Sequence, residues 1–340
     1  MPVKRAAATL PGTDLLLASL PQEEPRFVRK MDCVAVNRIE DIPAGGGWLR
    51  EIKWDGYRVC IIKRGREVAL RTKLNLAPGA RYQHLEAALS ASALADCVLD
   101  AELVALDDEG RPSFQLLQQS RRNSASIVLY VFDLLHYQGS SLRRLPLTGR
   151  RAALQALAPS FPDGVRFSEL LPEHVPLAEV VRALDENGIE GIVVKRKDSA
   201  YLEGKQSGAW VKYRLYAVDE FVIGGYLRRE DPYFDALIVG QYAGDRLLYK
   251  EKVRFGFDDE KKRDLLARME KITTKTCPFH NLPEKQRRGS LNDQQMRDAV
   301  WVKPLLRCSV EYVEKTESGS IRGHGRFGEL LPDRARDVES

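Results

Sequence analysis

Hydrophobic positions along the chain change period several times, and each change marks an element. Behind the turn Ile42-Pro43-Ala44-Gly45-Gly46-Gly47, the runs Trp48–Trp54 and Tyr57–Lys63 are rich in β-branched and aromatic residues and predict two strands. Helical spacing follows over Tyr82–Ala93. Val98–Leu106 reads as a strand ending in the turn Asp107-Asp108-Glu109-Gly110, and Ile127–Leu135 as a continuous apolar, buried strand. Amphipathic runs predict helices near 149–158 and 177–187, and Ile189–Lys195 and Ala209–Tyr213 predict the last strands of an α+β unit. From Phe221 the texture shifts to short strands: Phe221–Tyr226, Ala236–Tyr242, Leu247–Val253 and Arg307–Val313. One helix over Asp259–Lys271 interrupts them, and the polar stretch Lys275–Arg297 reads as a loop. That order suits a small all-β Greek-key barrel such as the OB-fold. The expected organisation is a loosely ordered leader over 1–30, an α+β domain over 31–216 and a barrel over 217–340.

Composition narrows this picture only a little. The 340 residues exceed one typical domain, which agrees with two units. Lys plus Arg number 53 against 48 Asp plus Glu, a mild excess that permits a polyanionic partner without requiring one. No apolar run reaches the length of a membrane span, and the first twenty residues are too polar and broken for a secretory signal, so cytoplasm is the expected compartment. Cys33, Cys60, Cys97, Cys277 and Cys308 are scattered with no C-x-x-C pair, so they read as reduced thiols and not as a zinc site or disulfide framework.

The sharpest chemical signal is Glu51-Ile52-Lys53-Trp54-Asp55-Gly56-Tyr57-Arg58. Strand alternation places Glu51, Lys53 and Asp55 on one face. A solvated face with paired charges would account for that pattern, and so would a reactive amine. A lysine is a nucleophile only without its proton, and aromatic burial beside a cation is a setting that favours the neutral amine. Trp48, Trp54, Tyr57 and Arg58 lie around Lys53 in sequence. No P-loop sequence is present, and Gly323-His324-Gly325-Arg326-Phe327-Gly328 fits a dinucleotide fingerprint without its following helix and acidic residue.

Further segments occur in a fixed order: Leu70-Arg71-Thr72-Lys73, Asp100-Ala101-Glu102, Tyr130-Val131-Phe132-Asp133, Glu190-Gly191-Ile192-Val193-Val194-Lys195 and Trp210-Val211-Lys212-Tyr213-Arg214. With the Lys53 segment they resemble the ordered motifs of the covalent nucleotidyltransferases: ATP-dependent DNA ligases, RNA ligases and capping enzymes. Arg111–Gln118, Trp301-Val302-Lys303-Pro304 and Phe221–Tyr226 resemble the ligase domain of bacterial end-joining DNA ligases in particular, so the likeness runs from about Met31 to Arg334. It implies a nucleotidyltransferase domain followed by an OB-fold domain. It also implies nick sealing through a lysine–AMP intermediate in DNA repair and recombination, with ATP and Mg²⁺ or Mn²⁺ as cofactors.

By the same resemblance, Lys53 attacks the α-phosphate, Glu51 reads the adenine amino group and Phe132 stacks on the base. Glu102 binds the ribose or a metal, and Glu190 holds a metal. Arg58 and Arg71 contact AMP or the 5′-phosphate, while Lys195, Lys212 and Arg214 surround the α-phosphate. The implied partners are nicked or broken duplex DNA and repair proteins acting in trans; a monomer with no membrane association is expected.

Plainer readings of single residues stand beside these roles: Phe132 as a core aromatic, Asp100 and Glu102 as a half-exposed strand face. Strict alternation would put Glu190 and Lys195 on opposite faces, so either Glu190 precedes the regular strand or Lys195 misses the nucleotide. The sequence also departs from the family at its end. The usual R-x-D-K motif is matched best by Leu331-Pro332-Asp333-Arg334, with Arg322 and Arg326 as alternative cations, and Arg214 replaces a lysine. The competing functions are an RNA ligase or capping enzyme of the same superfamily, and a catalytically weakened module that binds DNA ends.

Overall fold

The computed structural model describes residues 10, 17–118, 126–228, 233–282, 291–312, 314–315, 321–322 and 325–332. The chain divides into two compact units, Met1–Leu215 and Tyr216–Ser340. Among the described residues no helix is long and apolar enough to cross a membrane.

The first unit contains β1 (Asp32–Val36), β2 (Trp48–Ile52), β3 (Tyr57–Arg64), β4 (Glu67–Thr72), α1 (Gln83–Ala91), β5 (Cys97–Leu106) and α2 (Phe114–Gln118). It continues with β6 (Ser126–Tyr137), β7 (Ser140–Ser141), α3 (Leu147–Leu157), β8 (Val165–Phe167), α4 (Leu177–Glu186), β9 (Gly191–Arg196) and β10 (Gln206–Arg214). These strands form two sheets. The larger runs β4-β3-β5-β6-β7 with β8 parallel to β6, and the smaller runs β1-β10-β9-β2.

Alternation along β5 shows how the layers are built. Leu99, Ala101, Leu103 and Ala105 face a core completed by Leu85 and Leu89 of α1 and Ala153, Leu154 and Leu157 of α3. Val98 faces the other way and joins Cys60 and Phe132 of its own sheet with Leu49 and Trp210 of the smaller one. The two sheets therefore pack face to face, and the side chains between them include Asp100 and Glu102, which share the face of Val98. On its outer side the smaller sheet packs Ile192 and Val194 against Val180 and Leu184 of α4.

Part of the expected leader belongs to this unit. Leu17 is buried in the same core as α1, Gln22 bridges to Ser140, and the carbonyl of Glu23 accepts from His136 at 2.9 Å. Leu17 and Leu20 supply apolar anchors that the proline-rich composition concealed.

The second unit contains β11 (Ala217–Leu227), β12 (Ala236–Ala243), β13 (Arg246–Val253), α5 (Asp259–Glu270), β14 (Thr273–Thr274), α6 (Asp293–Asp298), β15 (Ala299–Tyr312), β16 (Glu314–Lys315), β17 (Ile321–Arg322) and β18 (Arg326–Leu331). The ladder runs β13-β12-β11-β15, with β18 also on β15. A single parallel bridge from Phe255, just past β13, to Arg326 of β18 brings the ends of this ladder together in a partly open five-stranded barrel. Phe221, Ile223, Val239, Val253, Val310 and Phe327 fill its interior. Helix α5 starts where Asp258 Oδ1 accepts from the Lys261 N–H at 2.8 Å.

Two sequence expectations fail here. The stretch expected to be a loop includes α6, which Asn292 and Gln295 close with a reciprocal capping box. The strand expected at Arg307 begins at Ala299, because a register shift between Leu306 and Trp301 lets one long strand turn the barrel wall.

Candidate active site

A cleft opens between the two sheets of the first unit. Its lining includes Glu51, Lys53, Trp54, Arg58, Glu102, Phe132, Val193, Lys195, Trp210 and Lys212, joined at the rim by Lys30, Asp32 and Cys33. Seven of the ten residues singled out from the sequence as site residues are thus brought together. The other three lie beside the cleft. Glu190 and Arg214 are joined to it through Lys53, and Arg71 lines a small neighbouring cleft with Lys30, Arg58 and Lys73.

Lys53 sits just past the end of β2, and its backbone N–H donates to the Gly191 carbonyl at 2.9 Å. Asp55 is not among the lining residues, because the strand ends at Ile52 and alternation stops there. The amine is ion-paired with Glu190, whose other oxygen pairs with Arg214. A cationic neighbour for Lys53 was anticipated in Arg58. Instead Arg58 lies bidentate on Asp100, at 2.9 and 2.6 Å, with a third hydrogen bond to the Met31 carbonyl at 2.8 Å. The Tyr201 hydroxyl donates to the same Asp100 carboxylate at 2.7 Å, and burial followed by that negative charge pushes its phenol well above the ordinary range.

Gly191 explains how Glu190 and Lys195 both take part. Its φ is +152°, and a Cβ there would meet the Tyr213 carbonyl oxygen at 2.2 Å. Glu190 therefore precedes the regular strand, while Val193 and Lys195 alternate inward from β9. Gly56 has a comparable role after Asp55, since a Cβ would lie 2.2 Å from the Leu103 carbonyl oxygen and hold β3 away from β5.

Glu51 is buried and carries two cations: Arg151 Nη1 at 3.1 Å on Oε1 and Lys195 Nζ at 2.7 Å on Oε2. The Lys195 ammonium lies 4.3 Å from the Phe132 ring centre and 4.2 Å from that of Trp210. Trp54, next to Lys53, stacks on Tyr130 with ring centres 3.6 Å apart and donates from Nε1 to Ser168 Oγ at 3.0 Å. Glu102 differs from these groups, because among the described residues none donates a hydrogen bond to it. Burial raises its carboxyl pKa to about 8 despite Arg58 and Lys53 nearby.

Sequence reasoning missed Arg150 and Arg151, neighbours on α3. Arg150 forms a fully buried bidentate pair with Asp133 at 2.8 and 2.9 Å. A signal existed: Asp133 inside an apolar strand needs a buried partner. Asp333 and Arg334 lie outside the described residues, as do Gly323 and His324. Arg326, one alternative for the terminal motif, ion-pairs with Glu311 at 3.7 Å.

The chain is similar to known proteins over most of its length. Residues 30–214 match the ATP dependent DNA ligase domain model, and 230–334 match the ATP dependent DNA ligase C terminal region. The multifunctional non-homologous end joining protein LigD of Pseudomonas aeruginosa is 35% identical over 305 residues, covering 87% of this chain and 35% of that protein. LigD of Mycolicibacterium smegmatis is 32% identical over 294 residues, covering 85% and 37%. The chain thus spans about a third of the length of these curated relatives. A solved Lig E DNA ligase, 15% identical with a TM-score of 0.53 over 88% of this chain and 100% of that one, shares the fold. With both family models matched in order, a nucleotidyltransferase domain followed by an OB-fold domain, and the motif residues gathered in one cleft, the chain belongs to the ATP-dependent DNA ligases, a family of enzymes.

Proposed function

We propose that this chain seals nicks or ends in duplex DNA during end-joining repair, by way of AMP carried on Lys53. The observation that carries the reading is the placement of the Lys53 amine in a cleft walled by Phe132 and Trp210, with Glu190 as its acceptor. In this reading Glu190, hydrogen-bonded to Nζ, first takes one proton from the Lys53 ammonium. The freed lone pair forms a P–N bond to the α-phosphorus of ATP as the P–O bond to pyrophosphate breaks, and the second proton leaves to solvent or the departing pyrophosphate. The AMP then passes to the 5′-phosphate of the break, and the 3′-hydroxyl displaces it. Phe132 stacks on the base, Glu51 accepts from its amino group, and Lys212 with Arg58 neutralises phosphate charge. Arg71 and Lys73, beside the cleft, suit the 5′-phosphate of the DNA.

Glu102 fits a divalent cation. It is an oxygen donor at the cleft with no ion pair of its own, and Mg²⁺ commonly takes only one or two protein carboxylates. A bound Mg²⁺ or Mn²⁺ would supply charge neutralisation on the phosphates. Glu190 already carries Lys53 and Arg214 and suits a cation less while Lys53 keeps its charge.

Incubation with α-labelled ATP and magnesium, followed by denaturing electrophoresis, tests the reading. Wild type should retain acid-labile, SDS-stable label and seal nicked DNA, and Lys53→Ala should do neither. Label on the variant at the wild-type level would show that another residue is the nucleophile.

A further inference from the structure

Arg151 reaches the site from behind. Besides Glu51 Oε1, its Nη1 donates to the Phe132 carbonyl at 3.2 Å, and its Nη2 donates to the Ser168 carbonyl at 2.7 Å. Its guanidinium lies 4.8 Å from the Phe167 ring centre, and Ser168 Oγ accepts from Trp54, the neighbour of Lys53. Arg151 is buried and is not among the residues lining the cleft. One side chain on α3 thus ties the carboxylate on β2 to the backbone of the aromatic on β6 and to the loop that holds Trp54.

We infer that Arg151 is a positioning residue that sets the preference of this cleft for adenine over guanine; the inference rests on Glu51 and Phe132 being the base contacts. An ion-paired carboxylate only accepts hydrogen bonds. Adenine offers it an amino donor at C6, whereas guanine presents a carbonyl oxygen there, so acceptor would face acceptor. Discrimination of that kind depends on where the carboxylate stands relative to the stacked ring. Lys195 holds one oxygen by a single point charge and leaves the group free to swing. The planar Arg151 fork removes that freedom, because it also grips the backbone of the stacking residue.

The test is equilibrium binding of ATP, GTP and tripolyphosphate to protein carrying Lys53→Ala, which blocks attack by that lysine. Arg151→Lys keeps the charge but loses the fork. It should weaken ATP binding by roughly tenfold or more, the value of a hydrogen bond to a charged group. GTP and tripolyphosphate should bind as before, so the ATP-to-GTP ratio falls. In protein with Lys53 intact, the same substitution should raise KM for ATP more than it lowers kcat. Arg151→Met should do the same more strongly, and if it fails to fold then Arg151→Lys decides. An unchanged ratio in folded Arg151→Lys, equal losses for ATP and tripolyphosphate, or equal ATP and GTP affinity before substitution would each overturn the assignment. Because binding is read without chemistry, absence of label on Lys53 would sink the lysine–AMP reading and leave this result standing on its own.

Discussion

The two units treat charge in opposite ways. In the first, Glu51, Lys63, Asp100, Asp133, Arg150, Arg151 and Lys195 are all buried, whereas every charged residue of the second is at least partly exposed among those described. The ion pairs follow suit: Asp133–Arg150 has no solvent exposure, while Arg254–Asp235 on the barrel, at 3.1 Å, is open to water. Burying charge costs several kcal/mol per ion before any pairing returns it, so a cluster of such groups is weak evidence for stability. It is better evidence for a task. The buried charges, apart from Lys63, gather between and behind the two sheets that form the cleft, whereas among the described residues the barrel core holds no buried charge.

The contrast can be tested by breaking matched pairs, and the largest effect belongs to the buried one. Arg150→Met leaves Asp133 enclosed without its cation and should destabilise the protein by about 3–5 kcal/mol, seen as a shifted urea midpoint. A loss below about 1 kcal/mol would mean that water reaches Asp133 and that the contrast is overdrawn.

Glu102 should give a smaller, pH-dependent effect. Its folded pKa of about 8 lies above that of an unfolded glutamate, so the folded state holds the proton more tightly. Its stabilising contribution is therefore complete below about pH 4.5 and is lost as pH rises through about 8. In metal-free buffer, Glu102→Gln should gain stability relative to wild type across that window and level off above it. Parallel profiles for the two proteins would remove the case for a cation-seeking carboxylate.

The smallest effect is expected on the barrel. Arg254→Ala breaks a pair that solvent already screens and should cost no more than about 1 kcal/mol. A cost matching Arg150→Met would erase the difference between the units.

The residues that touch the cleft were legible because they lie in short segments whose order is itself a signal, and Lys53, Glu102, Phe132 and Lys212 needed no tertiary information. What the sequence hid was the support. Arg150 and Arg151 fall on a helix where arginine ordinarily reads as solvated surface; Asp133 signalled that a buried cation was needed, but only the fold reveals that this face supplies it. Strict alternation opposed Glu190 and Lys195, and of the two ways out left open the structure has the first: β9 begins at Gly191, so Glu190 precedes the strand within which the period of two holds. Helix α6 had a readable start in Asn292 and Gln295, but the charged run before it masked the signal.

The Phe255–Arg326 bridge has a consequence for association. Where a bridge joins the ends of a sheet, the main-chain donors and acceptors at that point are not offered as an open border, and borders are where strands of other molecules attach. In the first unit the outer strand β4 does end its sheet, with Arg71 at its margin to discourage such pairing. At its bridge the barrel needs no such guard, and the side chains around that join need not serve against aggregation.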